Sequence, residues 1–563
     1  MKLTAISRLI GLGLLFALSA SAAHKKFIEL GWDIPDTAFL RQFAVEMEGE
    51  GPFDGVIFQV TAKTDNGRTI STESGWDATP WKKEWFHTAM ADLRAARFTN
   101  YTDNFLRFNA TPKRIDWADD SGWRALAEKI GICAWLVREG GAKGLALDFE
   151  PYGENQWRFD PAAGRTFAET AALARQRGAQ FTRSLAAEMP HAVVLALFLN
   201  SVVWRAGQAD EPETILATAS YGLLPAFFNG MLDAAPPAMV LVDGCENGYY
   251  FDSVEAYQRA ALQMRSWTGP CLQLVAPENR AKYRQQVQAG FGFYLDMFVN
   301  EPGHSYYRPP LDGSRLKRLV RNLGAARDAA DEYVWIYGEQ SRWWSGLAKD
   351  KPWRAEALAK TVGKGRAWEE ALPGITRAIA WTRDPETAAR VELAKHQAQK
   401  TVTNLATNGA VSHGPGPGSS LPQGWSAWQD EQTPTGTFAW DDQVGKGSAR
   451  ARKAMRGCFL QSIPVAPGQI YVVKAKCRTQ GNFLPNLMVR WQTSERQWTH
   501  ETDDRTFPFQ PDQGAWHASA GTVTVPPDTG RLVVLLNVHS QRTDDDVCWF
   551  DELEIYRLPE LPF

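Results

Sequence analysis

The stretch Gly144-Leu145-Ala146-Leu147-Asp148-Phe149-Glu150-Pro151-Tyr152 decides the fold of this chain. An apolar run ends here in two carboxylates that are two residues apart. On a β-strand, side chains two apart point to the same face, so Asp148 and Glu150 are expected to lie side by side. Buried strands that carry polar side chains at their carboxyl ends are typical of α/β folds, which place their chemistry there. The stretch therefore predicts a parallel sheet and the position of a functional site.

The same arrangement repeats from residue 27 to residue 339. Segments with helical periodicity separate short apolar runs, and they include residues 121–140, 162–189, 253–268 and 314–330. The apolar runs are residues 27–33, 55–60, 104–109, 144–150, 193–200, 239–243, 290–298 and 333–339. Eight strands alternating with helices predict a (β/α)8 TIM barrel over residues 23–345. An open doubly wound sheet is the alternative, but neither G-x-G-x-x-G nor a P-loop follows a strand.

Polar side chains occur at or near the carboxyl ends of these runs. Strands of a closed parallel sheet are apolar in the interior and carry polar residues at the mouth of the barrel. The residues concerned are Asp33, Asn109, Asp148, Glu150, Asn200, Asp243, Asp296 and Glu339. A single one could be a helix cap, but so many at one end of a barrel predict a site.

Beyond residue 345 the chain changes character twice. Residues 346–402 have helical periodicity and are rich in Lys and Ala, and we expect them to close the barrel and lead outward. The Gly- and Pro-rich residues 412–420 are loop material. Strand-like runs follow at residues 458–465, 469–477, 486–492, 516–525, 531–538 and 547–556. Strands at this spacing without helices predict a β-sandwich or jelly roll within residues 403–563.

The N-terminus has the pattern of a secretory signal peptide. Lys2 and Arg8 precede the apolar residues 9–18, and Ala20-Ser21-Ala22 supplies a small-x-small cleavage site. The apolar run is too short to span a bilayer comfortably. We therefore expect residues 1–22 to be removed and the mature protein to be periplasmic or secreted, without membrane insertion.

Composition and missing motifs exclude several classes of function. The formal net charge of -3 gives no electrostatic reason to bind nucleic acid. The six cysteines show no metal-ligand spacing, so no zinc site is expected, although a secreted chain could pair them in disulfides. G-x-S-x-G and HExxH are absent, which disfavours a Ser-His-Asp hydrolase and a zinc protease. No cofactor is expected to be required.

A secreted barrel with strand-end carboxylates, joined to a β-sandwich, resembles a glycoside hydrolase with a carbohydrate-binding module. The sandwich is similar to jelly-roll modules of the family 4/9 type in TNLATNG (403–409), VAPGQIY (465–471) and CWFDELEIY (548–556). The resemblance implies a poly- or oligosaccharide substrate and a structural calcium ion held by Asp551. The aromatic residues available for stacking on a sugar in the sandwich are Trp491, Trp498 and Trp516.

The apolar run around Glu150 is also similar to the D-G-x-D-x-D-x-E strand of chitinase-like hydrolases. Gly144, Asp148 and Glu150 match that pattern, whereas Lys143 and Ala146 stand where it has Asp. In that family the Glu protonates the glycosidic oxygen and the neighbouring Asp steadies an acetamido group. The resemblance implies an acid role for Glu150, and the two departures argue against a substrate-assisted reaction on N-acetylhexosamines.

Cleavage of a glycosidic bond needs two carboxyl groups on opposite sides of the bond, about 5–5.5 Å apart for retention and 6.5–9.5 Å for inversion. We expect Glu150 to be the general acid, with its pKa raised by Asp148 and by the apolar surroundings. Asp148 is on the same strand and is therefore a poor partner. The candidates for the partner are Asp243 or Glu246, then Glu339, then Asp296, and Glu339 is also expected to bind hydroxyl groups.

Aromatic and polar residues near the strand ends are expected to bind the sugar. The aromatic candidates are Trp32, Tyr152, Tyr249, Tyr250, Trp343 and Trp344, and the polar ones are Asp33, Asn109, Asn200 and Asp296. Two other classes of protein stay open: a non-catalytic glycan-binding protein, and a structural surface protein whose acids bind calcium or cap helices. A polysaccharide lyase is disfavoured, because an acid-rich barrel mouth would repel a uronate.

Overall fold

The computed structural model of the chain describes residues 25–32, 34–109, 113–344, 366–432, 436–509 and 514–560. The expected signal peptide (residues 1–22) and Asp33 lie outside the described residues. The chain divides into two compact units, which are Met1–Pro309 with Arg321–Pro373, and Pro310–Val320 with Gly374–Phe563. Among the helices that the structure describes, none combines the length and the apolar content needed to cross a membrane.

The first unit is built on parallel strands. Its strands are β1 (Lys26–Gly31), β2 (Gly55–Phe58), β3 (Thr61–Lys63), β4 (Thr69–Ser71), β5 (Phe105–Asn109), β6 (Gly144–Asp148), β7 (Val193–Ala196), β8 (Val240–Asp243), β9 (Val287–Ala289), β10 (Phe291–Tyr294) and β11 (Tyr333–Gly338). β3 and β4 form a separate hairpin, and the other nine form one sheet in the order β10-β11-β1-β2-β5-β6-β7-β8-β9. All pairings within this sheet are parallel.

The sheet is a nearly closed barrel, because β9 and β10 are the two halves of one bent strand. Only Gly290 separates them, and β9 pairs with β8 while β10 pairs with β11. A Cβ atom at Gly290 would lie 3.0 Å from the Tyr333 carbonyl oxygen, so the bend requires glycine. The predicted (β/α)8 barrel is confirmed, and each of the eight predicted runs contains a strand of the sheet or overlaps it.

Helices alternate with these strands. They are α1 (Thr37–Glu50), α2 (His87–Ala95), α3 (Asp120–Gly140), α4 (Phe167–Glu188), α5 (Pro212–Leu216), α6 (Leu224–Ala234), α7 (Val254–Arg265), α8 (Pro270–Gln273), α9 (Arg280–Gln286), α10 (Arg315–Ala329) and α11 (Trp368–Ala371). The longest of them begins at a capping box, in which the Thr166 hydroxyl and the Glu169 carboxylate each accept from the other's backbone N–H. The capping box sets the first residue of the helix, and hydrophobic periodicity does not detect it. The predicted range of residues 162–189 therefore begins before the helix does.

Two glycines let helices α4 and α6 touch through their backbones. A Cβ at Gly178 would lie 1.9 Å from the Phe227 carbonyl oxygen, and one at Gly230 would lie 1.8 Å from the Arg175 carbonyl oxygen. Phe227 itself belongs to a cluster of aromatic rings between these helices and the sheet, together with Trp76, Trp117, Trp123, Trp157, Phe149 and Phe181. The close helix contact therefore holds the wall of the barrel behind β6.

Gly178→Ala is expected to destabilise the first unit by about 1–3 kcal/mol, because the new methyl group must push α4 and α6 apart. Gly131→Ala in α3 is the matched control, since no atom lies within 4 Å of the added Cβ. That change should stabilise by about 0.5–1 kcal/mol through helix propensity. Thermal unfolding followed by circular dichroism measures both, and equal melting temperatures for the two variants would contradict the packing argument.

The second unit is a β-sandwich. Its strands are β12 (Ser426–Gln429), β13 (Thr437–Asp441), β14 (Ser448–Arg452), β15 (Arg456–Pro464), β16 (Ile470–Gln480), β17 (Asn486–Gln492), β18 (Trp498–Thr499), β19 (Arg505–Pro508), β20 (His517–Thr524), β21 (Arg531–His539) and β22 (Val547–Arg557). One sheet has the order β12-β15-β21-β17-β18 with β19 on β17, and the other has the order β13-β14-β22-β16-β20. The predicted sandwich is confirmed. The unpredicted strands are short or, like β14 (SARAR), lack large apolar residues.

Two more helices, α12 (Ile375–Arg383) and α13 (Pro385–Ala398), belong to this second unit. Ala389 and Leu393 of α13 pack with Val472 and Leu558 of the sandwich. This corrects the expectation that residues 346–402 as a whole close the barrel, because the apolar face of α13 is buried on the sandwich. All six cysteines are buried thiols, and the Sγ atoms of Cys477 and Cys548 are 3.2 Å apart.

Candidate functional site

A cavity of about 720 Å³ lies at the carboxyl ends of the barrel strands. Its charged lining residues are Glu73, Arg107, Asp148, Glu150, Glu246 and Glu339. Its aromatic lining residues are Trp32, Tyr152, Tyr249, Tyr294, Tyr306, Trp335 and Tyr337. The structure thus brings four of the five predicted catalytic residues, namely Asp148, Glu150, Glu246 and Glu339, to one cavity from three separate parts of the chain.

Phe149 is the residue that orients Asp148 and Glu150. Its ring is buried in the aromatic cluster, 4.9 Å from the ring of Trp157 in an edge-on arrangement, and the Trp157 indole N–H donates to the Phe149 carbonyl oxygen (2.9 Å). Because Phe149 points away from the cavity, the residues on either side of it point into the cavity. The expected side-by-side placement of the two carboxylates follows from this burial.

Arg107 neutralises part of the acidic lining. Its guanidinium donates to Asp148 Oδ2 (2.8 Å), to Glu73 Oε1 (3.2 Å) and to Asn109 Oδ1 (2.9 Å). The other oxygen of Asp148 accepts from the Glu150 backbone N–H at 2.9 Å. Burial alone would lower the pKa of Arg107, but the carboxylates of Asp148 and Glu73 more than offset it, so the guanidinium stays charged. The positive charge is therefore committed to Asp148 and Glu73.

Glu150 lies half-buried beside this ion pair. Burial raises the pKa of Glu150, and the negative charges of Asp148 and Glu339 raise it further. The hydrogen bond donated by the Tyr152 hydroxyl acts in the opposite direction, as does the charge of Arg107. Glu150 is thus a partly desolvated carboxyl whose anion is stabilised by one hydrogen bond, from Tyr152, and by the nearby charge of Arg107.

Glu246 follows β8 on a tight turn that begins at Cys245, whose φ of 37° lies in the left-handed region. Burial raises the pKa of Glu246 to about 8, with further contributions from the charges of Glu150 and Asp148. No residue that the structure describes donates a hydrogen bond to the Glu246 carboxylate or forms an ion pair with it. Glu246 is therefore protonated near neutral pH, because nothing within the described chain stabilises its anion.

Glu339 sits at the end of β11 on the other side of the cavity. Its carboxylate accepts from the Tyr337 hydroxyl (3.0 Å), and that hydroxyl accepts from the Trp32 indole N–H (2.7 Å). The Tyr337 ring is parallel to the ring of Tyr249, with 6.0 Å between their centroids. This arrangement combines a hydrogen-bonding carboxylate with flat apolar surfaces, which suits a ligand that has both hydroxyl groups and apolar faces.

Four predicted polar residues do not line this cavity among the residues that the structure describes, which corrects their expected role. All four are buried, and each is hydrogen-bonded within this chain. The partners are Arg107 for Asn109, the Cys271 carbonyl for Asn200, Leu199 and Ser201 for Asp243, and Glu339 and Gln340 for Asp296. Asp243 and Asp296 accept from the backbone N–H groups of the loop after an adjacent strand. They therefore shape the cavity by holding loops, and Asp296 positions the backbone of Glu339.

The predicted aromatic walls also need correction. Trp343 and Trp344 are 7% and 0% exposed and pack on Phe53, so they are core residues of the barrel. Tyr250 is exposed, but it lines a neighbouring pocket and contacts the Tyr306 hydroxyl at 3.1 Å. Trp32, Tyr152 and Tyr249 do line the cavity. Asp33 lies outside the described residues.

Sequence reasoning missed several lining residues. Arg107 and Glu73 were not predicted because neither lies at the end of a predicted run. For Arg107 a signal was present, since a charged residue inside the apolar run 104–109 is unusual. Tyr294 and Tyr337 lie within the predicted runs 290–298 and 333–339, where an aromatic side chain is common in any strand. His304 and Tyr306 lie in a loop after β10, where no periodicity marks a functional residue.

The predicted calcium ligand, Asp551, is half-buried on β22 and accepts from the Glu552 N–H (2.6 Å). Burial raises the pKa of its carboxyl to about 6. Within the described ranges, no group of three or more His, Cys, Asp or Glu side chains converges. Calcium also takes backbone and amide oxygens as ligands, so the calcium site at Asp551 stays a prediction.

No family model matches the chain, and no curated protein matches it. Among solved structures, the chain is similar to the enzymatically active domain of bacteriophage CBA120 tailspike protein 4, at 15% identity over 27% of this chain and 21% of that one (TM-score 0.22). An arabinose-bound α-L-arabinofuranosidase, MgGH51, matches at 13% identity over 27% and 26% (TM-score 0.22). TmCBM61 in complex with β-1,4-galactotriose matches at 12% identity over 28% and 99% (TM-score 0.20). The chain thus spans about a quarter of the first two.

The raised pKa of Glu246 makes a prediction about stability. In an unfolded chain this carboxyl ionises at an ordinary pKa, so folding favours the protonated form. The contribution of the Glu246 carboxyl to the free energy of unfolding is greatest at acid pH and is lost as the pH rises toward about 8. Relative to Glu246→Gln, the wild type should lose melting temperature steadily between about pH 5 and about pH 8 and lose no more above that. A difference in melting temperature that does not vary with pH would contradict the shifted pKa.

Proposed function

We propose that this protein is a glycoside hydrolase that cleaves a poly- or oligosaccharide in the barrel cavity by carboxyl acid/base chemistry. The single observation that carries the proposal is that Glu150 and Glu246, on different strand ends, share one aromatic-walled cavity and influence each other's charge. Hydrolysis of a glycosidic bond requires such a pair, with one carboxyl protonated and the other ionised at the same pH.

We assign the general acid to Glu246 and the base or nucleophile to Glu150, which reverses the role that the sequence suggested for Glu150. Glu246, with its pKa raised to about 8, keeps a proton that it can give to the leaving oxygen. Glu150 keeps an anion-stabilising hydrogen bond from Tyr152 and lies near the Arg107 charge. Asp148 holds the Glu150 backbone, and Glu339 is placed to bind hydroxyl groups.

Both Glu150→Gln and Glu246→Gln should lower kcat on oligosaccharides, whose alcohol leaving group needs a proton, by about 100-fold or more, which is the scale of lost acid–base catalysis. In the wild type, kcat/KM should fall as the pH rises through about 8, because Glu246 loses its proton. The measurement is a panel of nitrophenyl glycosides and oligosaccharides across pH. Glu46→Gln, an exposed glutamate of α1, is the control and should keep full activity.

The leaving group separates the two roles. A dinitrophenolate departs without a proton, so Glu246→Gln should recover most of its activity on a dinitrophenyl glycoside while Glu150→Gln should not. Equal losses for Glu246→Gln on both substrates would overturn the acid assignment. Wild-type binding of glycans without any product would instead favour the non-catalytic glycan-binding alternative.

We further propose that the sandwich binds glycan through a groove of about 500 Å³ on the outer face of the β12-β15-β21-β17-β18 sheet. Trp428 and Trp498 line it and are 48% and 47% exposed. The floor is apolar, formed by Cys458, Leu460, Met488 and Leu535. Of the three predicted stacking residues only Trp498 supports this role, because Trp491 is a core residue and Trp516 does not line the groove.

Trp428→Ala and Trp498→Ala should each weaken binding to a polysaccharide at least about 10-fold, since an indole covered by a sugar ring buries apolar area worth about 1.4 kcal/mol or more. Trp267→Ala, an exposed tryptophan of the first unit, is the matched control. Affinity electrophoresis in gels that contain soluble polysaccharides reports the binding. Unchanged mobility of both groove variants in every gel that retards the wild type would refute the groove.

A further inference from the structure

A second pocket adjoins the cavity within the first unit. It has a volume of about 320 Å³. The turn Glu246–Tyr250 forms a wall between the two: Glu246 and Tyr249 line the large cavity, whereas Asn247 and Tyr250 line the second pocket. The two pockets therefore lie on either side of one short turn of the chain.

The charges in the second pocket are opposite in sign to those of the cavity. Its charged lining residues are Arg205 and Arg259. Within the part of the chain that the structure describes, neither guanidinium forms an ion pair or a hydrogen bond. Glu255 lies within electrostatic range of Arg259 but does not line the pocket. Two like charges that face one small space repel each other, and an anion bound between them would remove that repulsion.

The uncharged polar groups of the pocket are also donors. Asn247 and Gln263 are half-buried amides that line it, and neither side chain is hydrogen-bonded to a described residue. The base of the pocket is apolar, with Met264 and Cys271 buried beneath it. The Trp204 ring forms part of its wall, and the Arg205 guanidinium lies over this ring, 5.0 Å from its centroid. This combination offers donors to an anionic group beside an aromatic ring.

We propose that this pocket binds the carboxylate of an acidic sugar, a hexuronate residue of a glycan. A planar guanidinium can give two parallel N–H donors to a carboxylate, which makes arginine the residue suited to this recognition. A volume of 320 Å³ is at the small end of ligand pockets and suits one sugar unit.

Combined with the proposed function, on which this step rests, the two pockets define the substrate. The cavity has five carboxyl side chains and one committed arginine, so it excludes a uronate and holds an uncharged sugar. The adjoining pocket holds the uronate. The substrate is then a glycan in which an uncharged unit at the cleaved bond neighbours an acidic one.

The test measures binding rather than turnover, so that it is independent of hydrolysis. The probes are the methyl glycosides of glucuronate, galacturonate and mannuronate, each against its neutral hexoside, titrated into the full chain at low salt with detection by ligand-observed NMR. At least one uronide should bind about 10-fold or more tightly than its hexoside. The double variant Arg205→Gln/Arg259→Gln should lose this preference, and salt should weaken it. Arg124→Gln, an exposed arginine of α3, should keep it.

Equal affinity for every uronide and its hexoside would overturn the inference. So would a uronide preference that is unchanged in the double variant, because the charge would then act from elsewhere. If a sulfated hexoside bound more tightly than every uronide, and did so through the same arginines, the carboxylate assignment would be wrong. Since both arginines are exposed, the double variant is expected to fold. Its melting temperature should equal that of the wild type, and this is measured as the control. None of these outcomes depends on whether Glu150 or Glu246 is catalytic.

Discussion

The burial of Phe149 is the interaction on which the rest of this site depends. Its ring fills the aromatic cluster behind β6, and this placement turns Asp148 and Glu150 toward the cavity. The cluster in turn relies on the close approach of α4 and α6, which only glycine permits at residues 178 and 230. The free energy of apolar packing therefore offsets the cost of placing two carboxylates side by side and away from water.

Electrostatics then divides the acids of the cavity into different roles. Arg107 forms ion pairs with Asp148 and Glu73, which hold these two carboxylates in place. Glu246 has no such partner among the described residues, and its pKa rises to about 8. Burial raises the pKa of both glutamates, but only Glu150 accepts a hydrogen bond from a described residue, Tyr152, that acts in the opposite direction. The neighbouring pocket is lined by Arg205 and Arg259 and by no acidic residue among those described, so its charge is opposite in sign to that of the cavity.

The strand pattern was predictable from the sequence because it depends on local alternation and burial. All eight barrel strands and six of the sandwich strands lie within or overlap the predicted runs. The convergence of Asp148, Glu150, Glu246 and Glu339 was also predictable, since parallel strands place their carboxyl ends at one mouth. Asp243 and Asp296 also lie at or beyond the carboxyl ends of strands, yet they accept hydrogen bonds from backbone N–H groups and do not line the cavity among the described residues. Position at a strand end alone does not distinguish an acid that faces the cavity from one that holds a loop.

The barrel, the sandwich and the end of the barrel at which the acids collect follow from the amino-acid sequence, because hydrophobic periodicity and the direction of parallel strands are properties of the linear chain. The folded structure was needed to show which acids face open space, that Trp343 and Trp344 are core residues, and that α13 packs on the sandwich. It also revealed the part played by Arg107. These outcomes depend on contacts between residues far apart in the chain, and hydrogen-bond partners and desolvation, which set the state of each carboxyl, exist only once those contacts have formed.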